Sequence, residues 1–452
     1  MRIAIVGGGA TGALAAAHLA RRARESTEII VVEPAERLGR GLAFSTDDPR
    51  HLLNVRASNM SAFGEDAEHF LNWLRGRNDG ALAEPFSFVS RKVYGDYVSD
   101  VAAEALQSGR IKHLRDVCVG ASEGPSFALL RLASGATLGA DRVVLATGYD
   151  GKPTIAGVAA QQPWDPASLN GLSRDAPLLI VGAGLTMVDM ALSLNRRGYQ
   201  GVITAVSRRG LLPSAHRQVA PRVLAGGDTP FGAELSALLR WLRNFAGECA
   251  ADGGDWRSAI DALRPHTQRL WRAMTPDQRQ RFVRHARPYW DVHRHRMAPE
   301  VEKRVEALRR SGRLRVVAGR VLHATDLGDR VSATLRLRGS AEPTRIDVAR
   351  VIDCTGMADA PSQSRNPLIC SLLASGLARL DPLGIGLDVA QDFSLVDAKG
   401  APSPRIKVVG PLARAAFWEC IAIPDIRLQA QDLAERLIRP PELRPALIAA
   451  AE

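Results

Sequence analysis

Cysteine is scarce in this 452-residue chain: five are present, Cys118, Cys249, Cys354, Cys370 and Cys420, an odd number never spaced C-x-x-C. That excludes a zinc ribbon and a dithiol redox centre, and a reducing compartment is expected. Lysine is also scarce, supplying six of the 59 basic residues, with arginine supplying the others. Aromatics make up 5% of the chain, and no basic stripe or tail is interleaved with them, which argues against a nucleic-acid partner. Long apolar runs are missing too. The opening MRIAIVGGGATG passes at once into glycines, too short for a signal segment and far short of the ~20 residues that span a membrane. A cytoplasmic protein with no membrane partner is expected. G-x-S-x-G is absent, and no nucleophile and base stand close enough in sequence to suggest hydrolysis. The formal net charge of +11 is then best read as serving an anionic substrate or cofactor phosphates.

Two segments of one kind dominate what is there. Arg2 to Val6 is a short β-branched run, followed by Gly7, Gly9 and Gly12 in G-x-G-x-x-G, an Ala-rich helix to about Ala23, a strand Glu28 to Val32, and Glu33. One glycine makes the tight turn, one lets the backbone approach a pyrophosphate, one packs helix on strand, and the acid suits ribose hydroxyls. The second segment runs from Leu178 to Val181 through Gly182 and Gly184, a helix to about Arg197 and a strand Val202 to Val206, to Ser207, Arg208 and Arg209. Met187 stands where the third glycine would be. A Ser-Arg-Arg ending suits a 2′-phosphate through charge-assisted hydrogen bonds, as in NADPH. A solvated charged turn is the plainer alternative.

A second repeat supports the plan. DRVVLATG, Asp141 to Gly148, and ARVIDCTG, Ala349 to Gly356, each end a buried strand in Thr-Gly. Each is expected to close one dinucleotide domain. The fold class is therefore α/β, with two Rossmann-like dinucleotide-binding domains. Residues 1–150 plus 357–452 form an FAD-binding domain, and an NAD(P)-binding domain, 171–356, is inserted in it. The tail would supply a strand Ile406 to Val409, Gly410 and a helix from about Pro424 to Ile438, with Pro424 and Asp425 as its start and its positive end facing a flavin. Residues 214–314 carry helical periodicity in Phe231 to Phe245, Trp256 to Met274 and Glu300 to Arg310. They read as a helical insertion, either a substrate lid or pocket wall, or an oligomerisation element.

Several stretches together resemble a family. GGGATG, GRGLAFSTDDPRHLLNVRASNMSAF (Gly39 to Phe63), RKVYGDY (Arg91 to Tyr97), the ATG and second GAG motifs, YWDVHRHRMAP (Tyr289 to Pro299) and GPLARAAFWECIAIPDIRLQA (Gly410 to Ala430) look like the FAD/NAD(P)-binding proteins typified by FAD-dependent urate hydroxylase and nitrosuccinate synthase. More distantly the chain is similar to amine N-hydroxylating flavin monooxygenases. The resemblance implies that Gly7, Gly9, Gly12 and Glu33 hold the ADP half of FAD. Gly182, Gly184, Ser207, Arg208 and Arg209 would hold NADPH. Asn54 and the loop from Gly410 through Trp418 would lie near the flavin ring, with Thr147, Gly148 and Gly356 completing the cofactor set. Ala415 stands where relatives are expected to carry glycine.

The implied activity is an FAD- and NADPH-dependent monooxygenase whose C4a-hydroperoxyflavin passes oxygen to a small anionic substrate, an amino acid amine or a urate-like purine, with dioxygen as co-substrate. The reactive atom belongs to the cofactor, so no protein residue is singled out as catalytic. Trp290, His293, Arg294 and His295 are the candidate substrate-binding residues, because a guanidinium can clamp a carboxylate or a urate edge in two parallel hydrogen bonds. A solvated turn is the rival reading there, and alternating arginines argue against a metal. An NADPH-dependent flavin reductase or electron-transfer protein, and a non-catalytic flavin-binding regulator, stay open. So does a homo-oligomer.

Overall fold

The computed structural model describes residues 1–77, 83–148, 155, 157–158, 160–356 and 361–439. The domain edges expected at 150 and 357 lie outside these residues. Fifteen strands are used below, numbered in chain order. Arg2–Val6 (β1), Glu28–Val32 (β2), Lys112–Leu114 (β3), Arg142–Leu145 (β7), Ser394–Val396 (β14) and Pro402–Val408 (β15) form one sheet in the order β14-β15-β7-β1-β2-β3. Its pairings are parallel except for β14 with β15. Between β3 and β7, Cys118–Glu123 (β4), Ala128–Leu132 (β5) and Thr137–Ala140 (β6) make an antiparallel meander.

Leu178–Val181 (β8), Ile203–Ser207 (β9), Leu314–Asp326 (β10), Val331–Leu337 (β11), Thr344–Val348 (β12) and Arg350–Asp353 (β13) form the second sheet, in the order β12-β11-β10-β9-β8-β13. The first half of β10 pairs parallel with β9 and the second half antiparallel with β11. The tail strands thus rejoin the sheet of β1, and everything from β8 to β13 is interposed. This is an α/β protein with two Rossmann-like units. Strands such as Ile3 to Val6 and Leu178 to Ile180 are buried continuously, as parallel strands covered on both faces must be.

The interposed helical region begins after β9. It contains helices Leu235–Ala251, Trp256–Leu263, Thr267–Ala273, Pro276–Arg281, Arg287–Arg294 and Pro299–Arg310. His293 and Arg294, for which a solvated turn was one reading, end a helix. Thr275 opens this run with a capping box closed by Gln278, a T-x-x-Q signal readable in the sequence. Pro288 cannot donate a backbone hydrogen bond, and it stands in the first turn of the helix Arg287–Arg294, after a π-helical turn, Phe282–Ala286, where that donor is not needed.

The two units meet along the helix Leu185–Arg196. Its Asp189 is buried and lies 2.7 Å from the Arg91 guanidinium at the start of the helix Arg91–Gln107. His51 Nε2 reaches Ser193 Oγ at 2.8 Å and the Asp189 carbonyl at 3.1 Å, while its Nδ1 meets Thr46 Oγ1 at 2.7 Å. Ser193 Oγ also lies 3.3 Å from Asp48, which pairs with Arg196 at 3.4 Å. Leu52 and Phe88 pack against the core around Met187. Burial raises the Asp189 carboxyl above its usual range, and Arg91 opposes that shift. Removing one partner of a buried pair costs about 3–5 kcal/mol, because the other charge is stranded. Arg91→Ala should lose about that much in urea unfolding, and the Arg91→Ala/Asp189→Ala pair should lose less than the two single losses combined. Strictly additive losses would show that the two groups do not couple.

Candidate functional site

The first glycine loop is shaped by contacts that forbid side chains at two positions and leave a slot at a third. A Cβ on Gly7, at φ +99°, would fall 2.6 Å from the Ala146 carbonyl oxygen and 2.9 Å from Thr147 Cα. A Cβ on Gly12 would fall 1.8 Å from the Gly7 oxygen, so the helix Ala10–Arg22 lies directly on the loop. A Cβ on Gly9 would meet only Gly41, at 3.3 Å. Gly9 is the N-cap of that helix, and among the described residues no side chain caps it, as suits a helix end that receives phosphate oxygens. Glu33 sits just past β2. One oxygen accepts from the Gly8 amide at 2.7 Å and the other from Ala35 at 3.1 Å, which fixes the carboxylate beside the loop.

The second loop repeats the first. A Cβ on Gly182, at φ +107°, would lie 2.2 Å from the Cys354 oxygen and 2.9 Å from Thr355 N. In both units the first glycine therefore abuts the Thr-Gly end of the parallel strand paired beside its own, Thr147-Gly148 after β7 or Thr355-Gly356 after β13. Gly184 caps the helix Leu185–Arg196 without a side-chain bond, and within 4 Å its absent Cβ would meet nothing. Gly148 and Gly356, both at positive φ, border open space in the same way. Met187 takes the position of Gly12 and is wholly buried. After β9, Ser207 Oγ accepts from Gly210 N at 3.1 Å. Arg208 is exposed, and the Arg209 guanidinium lies over the Tyr289 ring, 5.6 Å from its centroid.

The tail closes over the first loop. Gly410, at φ +74°, leaves no room for a Cβ against Thr11, and its amide donates to Gln429 Oε1 at 2.7 Å. Thr147 Oγ1, Gln429 Nε2 and Arg40 Nε are buried and find no hydrogen-bond partner among the described residues. Arg40 adjoins Gly41, which borders the Gly9 slot, and its Nη2 is paired with Asp96. A cradle lined by glycines and buried polar atoms awaiting partners fits a dinucleotide.

Trp418 faces the helical region, stacked on Trp271 at 4.5 Å and edge-on to Phe282 at 5.5 Å. The Trp271 indole donates to the Ala415 carbonyl at 2.7 Å. Glu419, at φ +68°, is buried and holds a strained backbone. Its carboxylate accepts from Trp290 Nε1 at 2.6 Å and from Arg294 Nε at 3.0 Å. Arg294 Nη2 lies 3.9 Å from Asp425, and Arg264 lies 3.4 Å from the same carboxylate. Arg287 pairs with Asp291 at 3.3 Å. Three guanidinium groups thus face three carboxylates. Burial pushes Asp425 and Asp291 up and holds His295 down to about 4, so that imidazole is neutral at physiological pH. His293 turns away, its Nδ1 bonded to the Tyr289 carbonyl at 2.7 Å and its ring edge-on to Trp256 at 4.6 Å. His216, held neutral by burial with a value near 4, donates to the Asn54 carbonyl at 2.9 Å.

The structure brings Gly7, Gly9, Gly12, Glu33, Thr147 and Gly410 to one place, and Trp290, Arg294 and Trp418 to another along the same tail loop. Ser207, Arg208 and Arg209 end the second unit's middle strand. Glu419, the partner of both Trp290 and Arg294, escaped sequence reading because it lies more than 120 residues from them, at positions fixed only by the tertiary fold. Gln429 had no signal either. No group of potential metal ligands occurs among the described residues, and no helix among them is long and apolar enough to cross a membrane.

Residues 4–150 match a family model described as FAD-NAD(P)-binding. Among curated proteins, none matches the chain by sequence. Solved structures share the fold over nearly the whole length. One is ornithine N-hydroxylase of Kutzneria sp. 744 with reduced FAD, NADP+ and L-ornithine, with a TM-score of 0.64, 16% identity, and 96% of this chain and 99% of that one covered. Another is L-lysine 6-monooxygenase of Pseudomonas syringae, at 0.65 and 16%, covering 96% and 98%. A third is the FAD-bound cadaverine monooxygenase of Erwinia amylovora, at 0.61 and 12%, covering 98% and 97%.

The contacts at Gly9 generate a test. Its Cβ would crowd only Gly41, so Gly9→Val should fold and yet fill the slot. The purified variant should melt near the wild-type temperature and carry little or no flavin absorbance. Full flavin content in Gly9→Val would contradict the assignment of this loop.

Proposed function

We propose, from the premise that residues 4–150 form an FAD/NAD(P)-binding domain, that this chain is an FAD- and NADPH-dependent monooxygenase that hydroxylates a small amine, an amino acid being the favoured class. The observation that carries this reading is the duplicated junction. In each unit a glycine at positive φ abuts a Thr-Gly strand end beside an uncapped helix start, so one chain offers two dinucleotide cradles held in a fixed relation. The likeness to ornithine, lysine and cadaverine hydroxylases supports amine chemistry. In this reading, the amides at Gly9 face the FAD pyrophosphate and Glu33 the ribose hydroxyls. Thr147, Gly148, Gln429 and Gly410 border the rest of the cofactor. Gly182, Gly184 and Gly356 receive NADPH, with Ser207, Arg208 and Arg209 meeting its 2′-phosphate. Bound flavin would relay electrons from nicotinamide to dioxygen, one oxygen atom of which would reach the substrate while the other leaves as water.

The chain's own part is to bind, orient and keep water out. Trp271, Phe282 and Trp418 form an apolar wall between the inserted helices and the tail loop. The charge around Arg294 is already compensated by Glu419, which weakens the case for a simple anion and removes the main support for a urate-like purine. A zwitterion suits a balanced cluster better: Arg294 Nη2, buried and 3.9 Å from Asp425 but without a hydrogen bond among the described residues, offers a donor to a substrate carboxylate.

A panel of ornithine, lysine, cadaverine, aspartate and urate, followed by NADPH consumption and product mass, tests the reading. One or more amines should give a product heavier by a single oxygen. NADPH consumption that yields only peroxide with every compound would favour a flavin reductase, and FAD binding without any NADPH consumption a regulator. Losing one charge-assisted hydrogen bond costs about 1.5–3 kcal/mol, so Arg208→Ala should lower NADPH efficiency roughly tenfold to a hundredfold and leave NADH efficiency nearly unchanged. Equal losses with both coenzymes would refute the phosphate role.

A further inference from the structure

We infer that Tyr289, a residue of the inserted helical region, is a positioning residue for the coenzyme's 2′-phosphate: its ring holds the Arg209 guanidinium in place before the ligand arrives. The inference rests on the reading of Arg208 and Arg209 as phosphate ligands and extends it to a residue outside the dinucleotide unit.

Tyr289 is 45% exposed, so its ring is not there to fill a core. Its described aromatic-face contact is with Arg209, whose guanidinium carbon lies 5.6 Å from the centroid, within the range of a cation–π interaction. The two residues come from segments tied together by the backbone. Ser214 N donates to the Val292 carbonyl at 2.9 Å, Met297 N to the Ser214 carbonyl at 2.7 Å, and His216 N to the Met297 carbonyl at 2.8 Å. The loop that follows Arg209 therefore runs along the end of the helix Arg287–Arg294 and moves with it. At its other end the loop is pinned by Gly210, at φ +64°, where a Cβ would lie 2.9 Å from Ala318 N. His293 fixes the helix in turn, through the Tyr289 carbonyl and Trp256.

An arginine side chain has much rotamer freedom to lose when it meets a phosphate. A ring that already confines the guanidinium removes part of that loss and leaves the planar edge free for oxygen atoms. The same helix then serves two sites: Tyr289 faces the coenzyme arginine, while Trp290 and Arg294 face Glu419.

Titration calorimetry with 2′,5′-ADP and 5′-AMP, which differ only in the 2′-phosphate, tests this on the purified full chain without turnover. An exposed cation–π contact corresponds to about a two- to fivefold change in affinity. Tyr289→Ala should weaken 2′,5′-ADP by that factor and leave 5′-AMP unchanged, while Tyr289→Phe, which keeps the ring face, should bind like wild type. Unchanged 2′,5′-ADP binding in Tyr289→Ala, equal weakening of both ligands, or a Phe variant as weak as Ala would overturn the role of Tyr289. Arg209→Ala separates the two layers. If it leaves 2′,5′-ADP binding intact, the phosphate reading of the arginines fails; if it weakens binding while Tyr289→Ala does not, only the role of Tyr289 fails.

Discussion

Two sheets can serve one hydride path only if their cradles keep a fixed separation, and in this chain a buried ion pair spans the two units. Arg91 on the first unit and Asp189 on the second meet at 2.7 Å, in a seam that also holds His51, Ser193, Asp48 and Arg196. Buried polar groups tolerate no sliding. A shift of an ångström or two would leave a carboxylate or an imidazole without a partner, at a cost comparable to a large fraction of a domain's net stability. An apolar interface of the same area would resist separation but would specify the register less sharply.

The inserted helical region sits on this frame and touches both halves of it. His216 bonds Asn54, Arg56 bonds the Arg217 carbonyl at 2.9 Å, and Glu419 collects Trp290 and Arg294 from across the molecule. Its apolar wall of Trp271, Phe282 and Trp418 and its compensated charge cluster lie on the tail loop that also packs on Thr11, in the first turn of the helix Ala10–Arg22. Catalysis by a bound flavin asks the protein for positioning and exclusion of water more than for acid or base groups. A site with neutral buried imidazoles and paired carboxylates matches that demand.

Local chemistry was readable where it obeys short spacing. Gly7, Gly9, Gly12 and Glu33 announce a cradle because they recur at fixed short spacing along one βαβ unit, and the repeated Thr-Gly strand ends mark the neighbouring strand that each cradle abuts. The tail's return to the first sheet was legible from Ile406 to Gly410 for the same reason. The helix Arg287–Arg294 was harder, because Pro288 masks it and its N-cap, Ala286, has no side chain that caps it. Partners that meet only through tertiary folding left no local trace: Glu419 with Arg294, Arg91 with Asp189, and Tyr289 with Arg209. Arg294 was expected as an open clamp, and its pairing with Glu419 changes the charge the site presents.

The central claim is that this one chain carries both cofactors and passes a hydride between them. Anaerobic stopped-flow mixing of the FAD-loaded protein with NADPH or NADH tests it most directly. The account predicts rapid bleaching of the oxidised-flavin absorbance with NADPH and much slower bleaching with NADH at equal concentration. Flavin that stays oxidised in the presence of saturating NADPH would contradict it.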